Sequence, residues 1–190
     1  MHRHLHPPAL LCGLYLSTIV RPLAAQEAPA KPADPTKVRV ALDGTTLTIH
    51  GARITLPCKR AELVKVLGKP SRETKLSNVL LTWDEHGLVA YQDPDSDKVH
   101  AFAVALAPGR YSFSPKKAFR GGLTVDGATV TAQSTADAIN KAKTGQPFAK
   151  DKVLTDTWSI RHDKTLITLA EGKPGDKEKF IEFQVSTDRK

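Results

Sequence analysis

The chain has 190 residues, with 28 Lys and Arg against 20 Asp and Glu, a formal charge of +8, and only two cysteines. The basic excess is mild and, apart from Lys116-Lys117, spread among acids, and aromatic residues make up only 6%, so no nucleic-acid partner is expected. Two cysteines cannot build a disulfide-rich scaffold, so the fold must stand on its apolar core.

The amino terminus has the layout of a cleavable secretory signal. Met1 to Pro8 carries Arg3 and no acid, Ala9 to Val20 is an apolar run, and Leu23-Ala24-Ala25 precede Gln26. That order of basic, apolar and small residues is the export pattern. An apolar run of about 12 residues falls short of the roughly 20 needed to span a bilayer. Residues 1–25 are therefore expected to be removed on export, which predicts a periplasmic or secreted protein with no membrane span. Arg3 and Arg21 leave with the signal, which lowers the formal charge from +8 to +6. Residues 26–37, rich in Ala, Pro and Lys, read as a flexible linker.

Beyond the linker the chain repeats itself. Leu47 to Thr55 (LTIHGARIT) matches Leu123 to Thr131 (LTVDGATVT) at five of nine positions. In each copy a helical stretch follows, Lys59 to Leu67 and Thr135 to Lys143. Glycine and proline close each helix: Gly68 and Pro70, then Gly145 and Pro147. A strand near a tryptophan comes next (Trp83, Trp158), then a turn with histidine (His86, His162) and two further strands. Fixed spacing through so many elements is the signature of a duplication. The predicted fold is α+β: two tandem β-β-α-β-β-β units, 38–107 and 121–190, each a short helix packed on an antiparallel sheet. Residues 108–120 connect them. His50-Gly51 and Asp126-Gly127 are expected as hairpin turns that need positive φ. Ser134-Thr135-Ala136-Asp137 reads as a capped helix start. Trp83 and Trp158 share strand parity with aliphatic neighbours, so both are assigned to the core.

Few residues suggest chemistry. Asp84, Glu85 and His86 stand together and invite acid–base work, but consecutive residues splay apart on a hairpin, and Gly87 marks a turn. Asp93-Pro94-Asp95-Ser96-Asp97 begins like a calcium loop. Lys98 and Val104 then occupy the positions where such a loop needs Gly and Glu. Cys58 precedes a helix, where backbone amides would lower a thiol pKa; the plainer reading is a partly buried structural residue. No catalytic, metal-binding or cofactor-binding residue is assigned, and no cofactor is expected.

Three stretches carry a resemblance. They are Ile54 to Pro57 with Val66 to Arg72, Trp83 to Tyr91 (WDEHGLVAY), and Ser114 to Phe119 followed by Gly121 to Gly127. Together they resemble an uncharacterised domain of bacterial, often exported, proteins, over most of Val38 to Ile139. That resemblance implies no catalytic residues. The order of helix, Leu-Gly-x-Pro and aromatic-ending strand is also similar to tandem β-lactamase-inhibitor-protein-like units and to small outer-membrane assembly lipoproteins, which implies binding to another protein. The chain lacks the inhibitors' paired cysteines and the lipoproteins' modified cysteine. The expected function is an exported, non-enzymatic binding module for a protein or envelope component, of inhibitor or immunity type. The alternatives are a structural envelope component, or a hydrolase using exposed Asp84, Glu85 and His86.

Overall fold

The computed structural model describes Asp34 and residues 37–109, 111–173 and 179–188. The predicted signal at 1–25 and nearly all of the linker at 26–37 lie outside the described residues. The described residues fall in one compact unit.

The chain begins with β1 (Arg39–Asp43), β2 (Thr46–Ile49), β3 (Ala52–Ile54) and a short β4 (Cys58–Lys59), which leads into α1 (Arg60–Leu67). Then come β5 (Arg72–Lys75), β6 (Val79–Trp83), β7 (Leu88–Gln92) and β8 (Lys98–Ala105). After a long connection follow β9 (Gly122–Val125), β10 (Ala128–Thr129) and α2 (Ala136–Ala142). The last strands are β11 (Ala149–Lys150), β12 (Thr157–His162), β13 (Thr165–Glu171) and β14 (Phe180–Thr187). The fold is mostly β-sheet with two short helices, an α+β arrangement.

Local chemistry explains the elements that the sequence reading anticipates. His50 and Gly51 have φ of 52° and 81°, and Asp126 and Gly127 have 47° and 86°. Two consecutive positive φ values make the turn whose twist matches a hairpin, and β2–β3 and β9–β10 close across these pairs. At the start of α1, Glu62 accepts a hydrogen bond from the Lys59 backbone N–H at 2.9 Å. At α2, the Thr135 hydroxyl accepts from the Ala138 N–H at 3.2 Å, which satisfies an otherwise orphaned helix-end donor.

The sheets differ from the expectation. Instead of one sheet per unit, both sheets take strands from both stretches. A five-stranded sheet runs β10-β9-β1-β2-β3, and a nine-stranded sheet runs β11-β12-β13-β14-β8-β7-β6-β5, with β4 on β8. The joints are the parallel pair β1·β9 and the antiparallel pair β8·β14. Exposed strand edges are costly to leave unpaired, and these pairings remove four of them. Strands β1, β4, β5 and β11 are additions to the predicted set. β5 (RETK) and β11 (AK) carry no apolar alternation and join through backbone pairing and ion pairs such as Arg72–Asp84 and Lys150–Glu171.

One core unites the sheets and helices. It takes Leu42, Leu47 and Ile49 from the smaller sheet, Trp83, Phe102 and Phe183 from the larger, Leu63 from α1 and Ile139 from α2. In β8 every residue from Val99 to Ala105 is buried, on both faces. Trp83 is 2% exposed and donates its indole N–H to the Gly68 carbonyl at 2.9 Å. Trp158, assigned to the core with it, is only half-buried. It lies on β12, one strand from the sheet edge, with the Lys150 ammonium 5.2 Å from its ring centre and its N–H on Glu171.

Candidate functional site

The Asp84-Glu85-His86 stretch is the natural place to begin, and the fold splits it. The expected exposure holds for Glu85 alone: Asp84 and His86 are each only 7% exposed. Asp84, at the end of β6, faces Arg72 on β5. The guanidinium donates to the Asp84 carboxylate through Nε at 3.0 Å and a terminal nitrogen at 3.3 Å. Burial opposes the Asp84 charge. The Arg72 hydrogen bonds, the Lys116 N–H at 2.9 Å and the charges of Arg72 and Lys116 outweigh it, and hold the carboxyl below its ordinary range. His86 is shifted downward, first by burial and then by the charge of His50, with Glu85 opposing. Its Nδ1 has no hydrogen-bond partner among the described residues. Glu85 pairs with Lys117.

What Arg72 and Asp84 hold is the segment between β8 and β9. Arg72 also donates to the Ser112 carbonyl at 2.9 Å and to the Ser114 carbonyl. The Phe119 N–H reaches the Ala105 carbonyl at 2.7 Å, and Pro115 is buried. Two glycines let the chain come close. Gly87 has φ +67°, and a Cβ there would lie 2.3 Å from the Phe119 nitrogen. A Cβ on Gly109 would lie 1.9 Å from that of Ser114. The stretch expected as a plain connector is a fixed loop, with a partly buried ion pair bonded to its carbonyls and an amide.

The loop displays what it carries. Tyr111 is 65% exposed, and its ring stacks on Phe113, with centroids 5.1 Å apart and planes 8° from parallel. Lys116, Lys117 and Arg120 are exposed. The sequence holds a signal for this that composition averages away. Residues 108–125 contain Arg110, Lys116, Lys117 and Arg120 with no acid, among Tyr111, Phe113 and Phe119. A loop fixed on a rigid scaffold is where binding residues concentrate.

The remaining candidates are placed as follows. Cys58 is buried in β4, and burial, aided by the charge of Glu62, pushes its thiol up to about 11. The lowering that a helix start would give is overridden. Asp93 to Asp97 form the turn between β7 and β8, with the Asp93 N–H on the Lys98 carbonyl at 2.9 Å. His100 Nδ1 lies 3.2 Å from the Asp93 carboxylate. This pair borders a cleft of about 740 Å³ that also involves Pro57, Asp95, Lys98 and Lys164. A shallower one of about 480 Å³ lies between the β2–β3 hairpin and α1, at His50, Arg53, Glu62 and Lys65. Among the described residues no group of three or more His, Cys, Asp or Glu side chains is arranged to hold a metal ion. None of their helices is long and apolar enough to cross a membrane.

Residues 39–140, more than half of the chain, match a family described as a domain of unknown function (DUF7738). The chain belongs to the DUF7738 family. The match opens at β1, contains the whole of the loop with its Arg72–Asp84 anchor, and stops inside α2. Neither a curated protein nor a solved structure matches this DUF7738 chain.

Proposed function

We propose that this DUF7738 protein is an exported, non-enzymatic binding module, and that the loop at 111–120 recognises a protein or envelope component, in the manner of an inhibitor or immunity factor. The observation that carries this is the exposed Tyr111 ring, stacked on a half-buried Phe113, on a loop anchored by a partly buried ion pair. Rigid aromatic side chains give large contact area at low entropy cost, and a preorganised loop avoids the ordering cost of association. The signal-like amino terminus supports export. Asp84, the strongest acid candidate for a hydrolase, is fully engaged by Arg72 and Lys116.

With the short β4 set aside, the order β2-β3-α1-β5-β6-β7-β8 recurs as β9-β10-α2-β11-β12-β13-β14. In the larger sheet the two sets run inward from opposite ends to meet at β8·β14. That symmetry supports an ancestral duplication, in which the second copy holds one short strand beyond the six-element unit, β11, and the first holds β4 and β5.

The test is capture of partners from periplasmic extract by the exported protein and by its Tyr111→Ala/Phe113→Ala variant. A partner held by the first and lost by the second is the expected result. Equal capture would remove the loop from the function. Turnover of any substrate that disappears in an Asp84→Asn/Glu85→Gln/His86→Gln variant of unchanged stability would restore the hydrolase reading.

A further inference from the structure

We propose that the partner of this loop is an anionic lipid surface, with the Tyr111 and Phe113 rings entering the headgroup layer and Lys116 and Arg120 meeting lipid phosphates. The inference rests on reading the loop as the recognition element and names what it recognises.

Charge is the first ground. Residues 108–125 hold four cations and no anion, in a chain whose charges are elsewhere mixed. Among the described residues, neither the Lys116 ammonium nor the Arg120 guanidinium has an ion-pair partner, whereas Lys117 is neutralised by Glu85. Among the described residues these two exposed cations are thus left outside any ion pair, although the Lys116 charge also acts on the Asp84 carboxylate. The second ground is the rings. An exposed tyrosine stacked on a phenylalanine has an apolar body and a polar tip, the character of side chains that settle at a bilayer's interface. Aromatic and basic residues side by side suit both halves of that interface.

Shape separates a bilayer from a folded acidic protein. Neither of the two clefts described above takes a residue of the loop, so the rings stand outside them. An aromatic anchor in a protein interface needs a matching pocket on its partner. A fluid headgroup layer conforms to a protruding ring and needs none. The loop's fixed backbone holds rings and cations together, so both can engage at once.

The experiment is co-sedimentation of the exported protein with vesicles of phosphatidylglycerol and phosphatidylcholine in equal parts, and with phosphatidylcholine alone. The expected result is binding to the anionic vesicles only, released at about 0.5 M salt, where screening shortens to a few Å. Each loop cation should contribute about fivefold, so Lys116→Glu/Arg120→Glu should weaken binding roughly 25-fold or more. Tyr111→Ser/Phe113→Ser should also lose it. A charge-matched control on the opposite copy, Lys152→Glu/Lys164→Glu, should keep most of it. Unfolding midpoints of all variants check that exposed substitutions leave the fold intact. Tyr111→Trp, which keeps a ring, should show a vesicle-dependent blue shift of its emission.

Absence of binding to anionic vesicles overturns the inference, as does equal loss in the control, which would indicate net charge alone. If vesicles fail but Tyr111→Ser/Phe113→Ser abolishes capture of an acidic protein, the lipid assignment falls and the loop remains the recognition element. If vesicles and capture are both indifferent to the loop, both readings fall.

Discussion

The Lys143 ammonium lies 3.0 Å from the Asp126 carboxylate, with the two side chains only 1% and 7% exposed. Asp126 sits in the β9–β10 turn, where its other oxygen accepts the Gly44 N–H at 2.7 Å. Lys143 follows α2 and donates also to the Thr144 and Gln146 carbonyls. The pair ties three turns of the fold together. Removing one partner of a buried pair leaves an uncompensated charge, at a cost of about 3–5 kcal/mol. Lys143→Met is therefore expected to lower unfolding free energy by about that much. Asp126→Asn combined with Lys143→Met should recover part of it, since Asn tolerates the positive φ and no charge remains buried. Denaturant titration checks this, and a loss below about 1 kcal/mol in the single variant would contradict it.

The Arg72–Asp84 anchor makes a prediction about local order. Arg72→Met should free the loop, so trypsin should cut after Lys116 or Lys117 faster than in the parent while the global unfolding midpoint moves less. Arg72→Lys should not rescue it, because an ammonium cannot reproduce a planar fork that serves a carboxylate and two carbonyls at once. Gly87→Ala should release the loop by another route, through its clash with Phe119 and a strained φ worth about 1–3 kcal/mol. Unchanged cleavage in both variants would mean that the loop holds without its anchor.

Buried His86 and half-buried Glu182 should oppose each other between about pH 4.5 and 7. His86 has a lowered pKa in the fold, mainly from burial. The unfolded chain then binds a proton that the fold does not, and stability falls as pH drops below about 6.5. For Glu182, burial pushes the carboxyl up to about 7. The fold then binds a proton that the unfolded chain does not, and stability falls as pH rises from about 4.5 to 7. In Glu182→Gln, the slope that remains should show stability rising with pH near 6. In His86→Phe it should show stability falling. Denaturation across this range, with NMR titration of Glu182, decides the matter. A Glu182 carboxyl titrating near its ordinary value would defeat this prediction.

The two tryptophans should not be equivalent. Trp83→Ala should cost about 3–5 kcal/mol, as a fully buried aromatic does. Trp158→Ala should cost clearly less, because part of its ring is already in water. Equal costs would contradict the difference in burial. Emission from single-tryptophan variants should be bluer for Trp83.

Much of this chain is legible one residue at a time. The His50-Gly51 and Asp126-Gly127 turns need positive φ, and their neighbours alternate, so the hairpins are written locally. Both helices show in the capping residues Glu62 and Thr135 and in Leu63, Leu67 and Ile139, spaced to share a face. The basic, aromatic loop is also visible in the sequence, once the stretch from Pro108 to Val125 is read by itself. Short-range rules decide the hairpins and helix ends, because their partner atoms lie within a few residues.

Only the tertiary structure decided how the strands combine and what Asp84 does. β8 with β14, and β1 with β9, pair across more than 75 residues, and strand edges carry no mark in side-chain type to name their partner. β5 and β11 join by backbone hydrogen bonds, which a pattern of polar residues does not reveal. Asp84 reads as an exposed acid until the sheet brings Arg72 beside it and the loop brings the Lys116 N–H onto it. A carboxylate's role follows from the charges and donors that surround it in space, and those arrive from residues 12 and 32 positions away.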